Sequence, residues 1–192
     1  MLNPWVLPDR AVFDGKEYVI NADFRDILDI FSYFDDPDLP EYIRWEIALA
    51  LFYREPIPLR YRQEAMAYLC SFINCGKEEQ SVPSAKLLDW QQDAQTIVAD
   101  VNKVAGCEIR TMPFLHWWTF MAWFNAIGQG QLSTVVSIRD KLRRGQALEK
   151  WEKEFYRANR PLVDMKKRYS REELEERSRL QQLLEPKQEV IA

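Results

Sequence analysis

His116 is the only histidine, and Cys107 lies nine residues before it, so the pair supplies the residue types of a nucleophile and base or of a metal site. A zinc site takes imidazole, thiolate or carboxylate ligands at short, paired spacing. The cysteines at 70, 75 and 107 contain no CxxC, and no second pair accompanies Cys107 and His116. A thiol–imidazole pair remains formally open on spacing alone. However, His116 opens an apolar run through Trp117 and Trp118, where an imidazole satisfied in the core or at a helix end is expected. Cys70 and Cys75 read as buried or half-buried thiols. An odd number of cysteines without close pairs suits a reducing cytoplasm, not a disulfide framework.

Carboxylates are the next candidates. Asp23, Asp26, Asp29, Asp35, Asp36 and Asp38 could supply an acid/base pair or a cation site. A calcium loop needs alternating oxygen ligands closed by glycine, and no Asp-x-Asp-x-Asp-Gly is present. Gly128-Gln-Gly130 fits no phosphate-binding loop. A solvated acidic face is the expected role. The aromatic run Phe114 to Phe124 would suit base stacking only with cations alongside. No Lys or Arg falls between Arg110 and Arg139, so the run is expected in the core. These residues predict no catalytic, metal-binding or cofactor-binding group.

The elements that hold them are mainly helical. Asp14-Gly15 between two short β-prone runs predicts a tight hairpin, because both central residues of such a turn need positive φ. Asn21 stands where a helix N-cap is expected, followed by Phe24, Ile27, Leu28, Phe31 and Phe34 at helical spacing. Pro40 can open a second helix over 41–54, apolar on nearly every face and therefore expected to be central. Tyr61 to Phe72 marks a third helix ending near Gly76, with 74–84 read as an exposed loop. A stripe from Leu87 to Val104 ends at Gly106, and the aromatic run and Ser133 to Leu142 supply two more helices. Beyond Arg143 the chain becomes charged. Glu149 to Arg160 carries Trp151, Phe155 and Tyr156 on one side, Pro161 interrupts it, and Ser170-x-x-Glu173 is a capping box for a last helix. In that helix Glu173/Arg177 and Glu175/Arg179 are spaced as i,i+4 pairs. The fold expected is mainly α: a compact multi-helix domain over 1–145 with a small N-terminal β-hairpin, and a charged helical C-terminal extension over 146–192. That extension is expected to lie outside the core, so truncation after Leu142 should leave the domain folded.

The chain has 192 residues, 47% of them hydrophobic and 25 aromatic, enough to bury a sizeable core and to exclude disorder for the bulk of it. The longest uncharged run, Thr111 to Ile138, contains His116, Asn125, Gly and Pro and reads poorly as a membrane span. Met1 to Arg10 holds no basic stretch of a secretory signal. Charge is uneven: residues 1–138 carry 11 basic and 19 acidic side chains, a net of −8, whereas 139–192 carry 15 and 11, a net of +4. An acidic body and a mildly basic tail suggest a complementary partner or body-to-tail self-association, and the alternative is two differently solvated surfaces. Four net positive charges diluted by carboxylates give little counterion release, so nucleic acid is not expected.

Three segments resemble a known family. They are Glu17–Tyr18–Val19–Ile20–Asn21–Ala22–Asp23–Phe24–Arg25, Leu49–Ala50–Leu51–Phe52–Tyr53, and His116–Trp117–Trp118–Thr119–Phe120 followed by Leu132–Ser133–Thr134–Val135–Val136–Ser137–Ile138–Arg139. In this order they resemble the tail assembly chaperones of tailed bacteriophages and prophages of Gram-positive bacteria, encoded near the tape-measure gene. The resemblance covers 12–145 and does not extend over 146–192. It implies a non-enzymatic protein that binds the phage tape-measure protein, guides polymerisation of tail-tube protein around it, works in the host cell cytoplasm and is absent from the mature virion. A homo-oligomer, ring or spiral, is expected, without nucleic acid or membrane. The alternatives are a structural component of the tail or connector, or a phage protein that binds a host factor.

Trp117, Trp118, Phe120, Met121 and Phe124 cannot all face one side of a helix, so one or two are expected to reach a partner. Leu174, Leu180, Leu183 and Leu184 form a stripe too narrow for a core helix. With Trp117 and Trp118 they are the candidate partner and self-association residues.

Overall fold

The computed structural model describes residues 3, 5–77 and 85–184, with side chains described as far as Gln181. The loop expected over 74–84 therefore lies mostly outside the described residues, as do the side chains of Leu183 and Leu184. The fold is mainly α-helical with one small antiparallel hairpin, as expected.

Strands β1 (Arg10–Phe13) and β2 (Lys16–Val19) pair through Asp14 and Gly15, both at positive φ (49° and 75°). Ala11, Phe13 and Tyr18 point inward, and Phe13 packs among the rings of Tyr18, Tyr53, Tyr61 and Tyr68. The chain stays extended past β2: Ile20 bridges to Tyr53, and Asn21 N–H donates to Phe52 O at 2.7 Å. That extra pairing moves the start of helix α1 (Phe24–Phe34) beyond the expected cap. Asn21 instead donates its side-chain amide to Leu51 O, and Asp23 is the N-cap, accepting from Arg25 N–H at 2.9 Å.

Helix α2 (Glu41–Phe52) follows Pro40 as expected, but only Ala48, Leu49 and Phe52 are buried and Tyr42 is exposed, so its first half lies at the surface. Helix α3 (Arg62–Ile73) ends in Cys75 and Gly76, both at positive φ. The apolar stripe from Leu87 becomes helical only at α4 (Ala94–Ala105), because Asp89 accepts the backbone N–H groups of Gln91 and Gln92 and folds the preceding residues into a turn. Gly106, left-handed at φ 70°, closes α4.

Helix α5 (Trp117–Asn125) carries the aromatic run into the centre of the body against α1, α3 and α4. Its start and that of α1 are tied together. Asp23 and His116 form an antiparallel bridge, with Phe24 N–H donating to Leu115 O and Trp117 N–H to Ala22 O.

Helix α6 (Gln131–Arg143) begins on Asp100, whose carboxylate accepts Leu132 N–H at 3.0 Å; a Cβ at Gly130 would come within 2.7 Å of the same carboxylate. Helices α7 (Lys150–Ala158) and α8 (Arg160–Val163) then turn back onto the body. Val163 is buried with Val135 and Ile138 in a second small core, flanked by Leu148, Phe155, Tyr156 and Leu162. The first part of the extension is thus packed against α6, contrary to its expected place outside the core. The apolar residues of the charged segment lie on one side and find an apolar face on α6. From Arg171 onward the chain leaves this packing: α9 (Arg171–Leu184) is exposed at every residue through Gln181. Its capping box forms, with Ser170 N–H donating to Glu173 at 2.8 Å and Glu173 N–H to Ser170 Oγ at 3.2 Å. Glu175 and Arg179 pair at 4.0 Å, while Arg177 lies over the ring of Tyr169 instead of pairing with Glu173.

Candidate functional site

His116 is the N-cap of α5. Its Nδ1 accepts Trp118 N–H at 3.0 Å, and its Nε2 lies 3.0 Å from Pro8 O, which only a donor can satisfy. The partners fix the neutral Nε2–H tautomer, and burial lowers its pKa. Both ring nitrogens are engaged by backbone, so none is left for Cys107, which is exposed. The thiol–imidazole pair is not assembled.

Trp117 and Trp118 both turn inward, 1% and 8% exposed. Their indole N–H groups donate to Ile73 O at 2.9 Å and Phe72 O at 2.8 Å, carbonyls in the last turn of α3, where Phe72 O also accepts Cys75 N–H at 3.0 Å. Each ring therefore joins two helices, and in this structure neither faces outward. Trp117 packs against Phe31, Trp90 and Phe120.

The aspartates separate into different tasks. Asp23 caps α1 and accepts Leu115 N–H. Burial, with Asp23 and Asp29 nearby, raises the pKa of Asp26. Asp35 receives Lys86 at 2.7 Å, and Asp38 accepts Arg171 N–H at 2.8 Å. Among the described residues no group of three or more His, Cys, Asp or Glu is placed to hold a metal ion.

A charge network that local sequence did not reveal joins the C-terminal segment to the body. Arg139 spends all five donors: Nε on Val163 O, Nη1 on Leu87 O and Asp93 Oδ2, Nη2 on Asp93 Oδ1 and Leu162 O. Arg168 donates to both oxygens of Asp89 at 2.9 Å and lies 3.7 Å from Asp35. Burial pushes Asp89 up, but the N–H groups of Gln92 and Gln91, with Arg168 and Lys86, hold it below its ordinary value. Buried Glu152 accepts Lys141 at 2.6 Å and Glu149 N–H at 2.8 Å. Arg139 stood in the motif that carried the resemblance; its partners lie between 23 and 52 residues away, beyond any local spacing signal.

What faces solvent is different. Leu174 and Leu180 are 52% and 53% exposed on α9, and Trp151 is 52% exposed on α7. Among the described residues no buried side-chain nitrogen or oxygen lacks a partner. No described helix is long and apolar enough to cross a membrane.

The class so defined is a helical protein whose buried polar groups are committed to joining its helices, with its candidate contacts on outer helical faces. The chain belongs to the family described as Bacteriophage Gp15 protein, which it matches over residues 7–184. The match runs through α7, α8 and α9, past the limit of the resemblance seen in the sequence. No curated protein and no solved structure matches the chain.

Proposed function

We propose that this bacteriophage-family protein is a non-enzymatic tail assembly chaperone. In this reading it binds the tape-measure protein in the host cytoplasm, guides tail-tube protein onto it, and leaves before the virion is complete. It self-associates and engages neither nucleic acid nor membrane. The observation that carries the reading is the family match across nearly the whole chain, including the exposed C-terminal helix. The physics agrees with it. A long helical partner with apolar stretches needs many weak, releasable contacts, and amphipathic helices with charged rims supply them. α9 is such a helix, rooted by Arg168 and Arg171 on the body and exposed at every residue through Gln181.

Co-expression with the tape-measure protein of the same phage tests it. The expected result is a soluble complex that co-purifies, together with absence of this chain from purified virions by mass spectrometry. Stoichiometric presence in virions would replace the chaperone with a structural tail or connector component.

A further inference from the structure

Two exposed helical faces of opposite charge stand without partners among the described residues. Residues 139–171 carry twelve basic and five acidic side chains, a net of +7, and residues 172–184 carry two and four, a net of −2. On α7, Lys150, Lys153 and Arg157 recur at i, i+3, i+7, one stripe of a helix, and all three are exposed. None of them has an ion pair or side-chain hydrogen bond among the described residues. Glu154 is the one carboxylate on that face, and exposed Trp151 borders it, its indole N–H held by Glu149 at 2.8 Å. On α9, Glu172, Glu176 and Leu180 recur at i, i+4, i+8, again one stripe, and Glu172 and Glu176 have no partner among the described residues.

We propose that α9 of one copy lies along α7 of a second copy. Glu172 and Glu176 face Lys150, Lys153 and Arg157, and Leu180 covers Trp151. The occupant is a second copy because both complementary faces belong to the same chain and do not meet within it: α9 is exposed throughout its described side chains. Its root is held on the α1 side, with Arg171 3.5 Å from Asp38. A contact between different faces of identical chains repeats head to tail, giving a ring or an open spiral. Exposed pairs of this kind are individually weak and salt-sensitive, which suits an assembly that must come apart. The proposal rests on the self-association in the reading above and names its surfaces.

Sedimentation equilibrium of the full chain tests it with charge reversals at exposed positions. Lys153→Glu with Arg157→Glu, and separately Glu172→Lys with Glu176→Lys, should each raise the dissociation constant of assembly at least about tenfold, with unchanged melting temperature. An equimolar mixture of the two variants should assemble again, since each reversed face then meets an opposite one, and a chain carrying all four reversals should recover by itself. If wild-type chain assembles but a reversal has no effect, or the mixture is not rescued, the α7–α9 contact is wrong while self-association stands. If wild-type chain is monomeric at its highest soluble concentration, self-association falls as well. Co-purification with the tape-measure protein is scored independently of either outcome.

Discussion

Arg139 and Asp93 meet in a two-pronged ion pair sealed from solvent, Nη1 to Oδ2 at 2.7 Å and Nη2 to Oδ1 at 2.9 Å. Because the same guanidinium also donates to Val163 O and Leu162 O, one side chain fastens α6, the turn before α4 and the end of α8. Removing one member leaves a buried charge without its counterion. Arg139→Ala or Asp93→Ala should cost about 3–5 kcal/mol in chemical denaturation. A loss below about 1 kcal/mol for either would mean the pair is hydrated in solution.

The same pair sets the outcome of truncation. A chain ending after Leu142 loses both carbonyls at 162 and 163 and the buried Val163, itself worth about 1.5–3 kcal/mol. It should melt well below the full chain or be insoluble. A chain ending after Ser170 keeps all of these and should melt within a few degrees of it. Equal melting temperatures for the two truncations would contradict the packing of α8 on α6.

Trp117→Ala and Trp118→Ala should each cost about 3–5 kcal/mol, the usual loss for a buried aromatic ring. Trp118→Phe keeps most of the ring but removes one of the two hydrogen bonds to Phe72 O, which still accepts Cys75 N–H, so a loss of about 1 kcal/mol is expected. Thermal melts of the three variants decide. An unchanged melting temperature in Trp118→Ala would place that ring outside the core in solution.

At the start of α6, Gly130→Ala drives a Cβ toward the Asp100 carboxylate and should destabilise by about 1–3 kcal/mol. Asp100→Ala removes the obstacle along with the cap on Leu132 N–H. The two changes should therefore be non-additive, the double variant being more stable than the sum of the singles implies. Strict additivity in a double-mutant cycle would show that the backbone shifts to make room.

His116 gives the fold a dependence on pH. Burial lowers its folded pKa, so the unfolded chain takes up the proton first. Its stabilising contribution is complete above its unfolded value of about 6.5 and is lost as pH falls through the lower folded value. Melting temperature should fall on acidification below neutrality. His116→Asn, which can still accept at the helix start without titrating, should flatten that slope; an identical slope would assign it to other groups.

Much of the fold was legible because its signals are local. Asp14-Gly15 defined the hairpin, Gly106 the end of α4, and Ser170 with Glu173 the start of α9, each through the φ or hydrogen bond that one short segment requires. The helical class followed from apolar spacing. Misplacements arose where a remote segment competed: Asn21 lost its capping role to Asp23 because the backbone at 20–21 pairs with the end of α2, and the stripe from Leu87 was held out of the helix by Asp89. The inward turn of both adjacent tryptophans was equally hidden, since neighbours on a helix point about 100° apart and only a helix surrounded by α1, α3 and α4 can bury both. The attachment of the C-terminal segment depended on tertiary structure most of all. Arg139, Asp93, Asp89 and Arg168 carry opposite charges that nothing in their local spacing pairs, and they are brought together only by the tertiary packing that sets α8 on α6 and the following segment against the turn before α4.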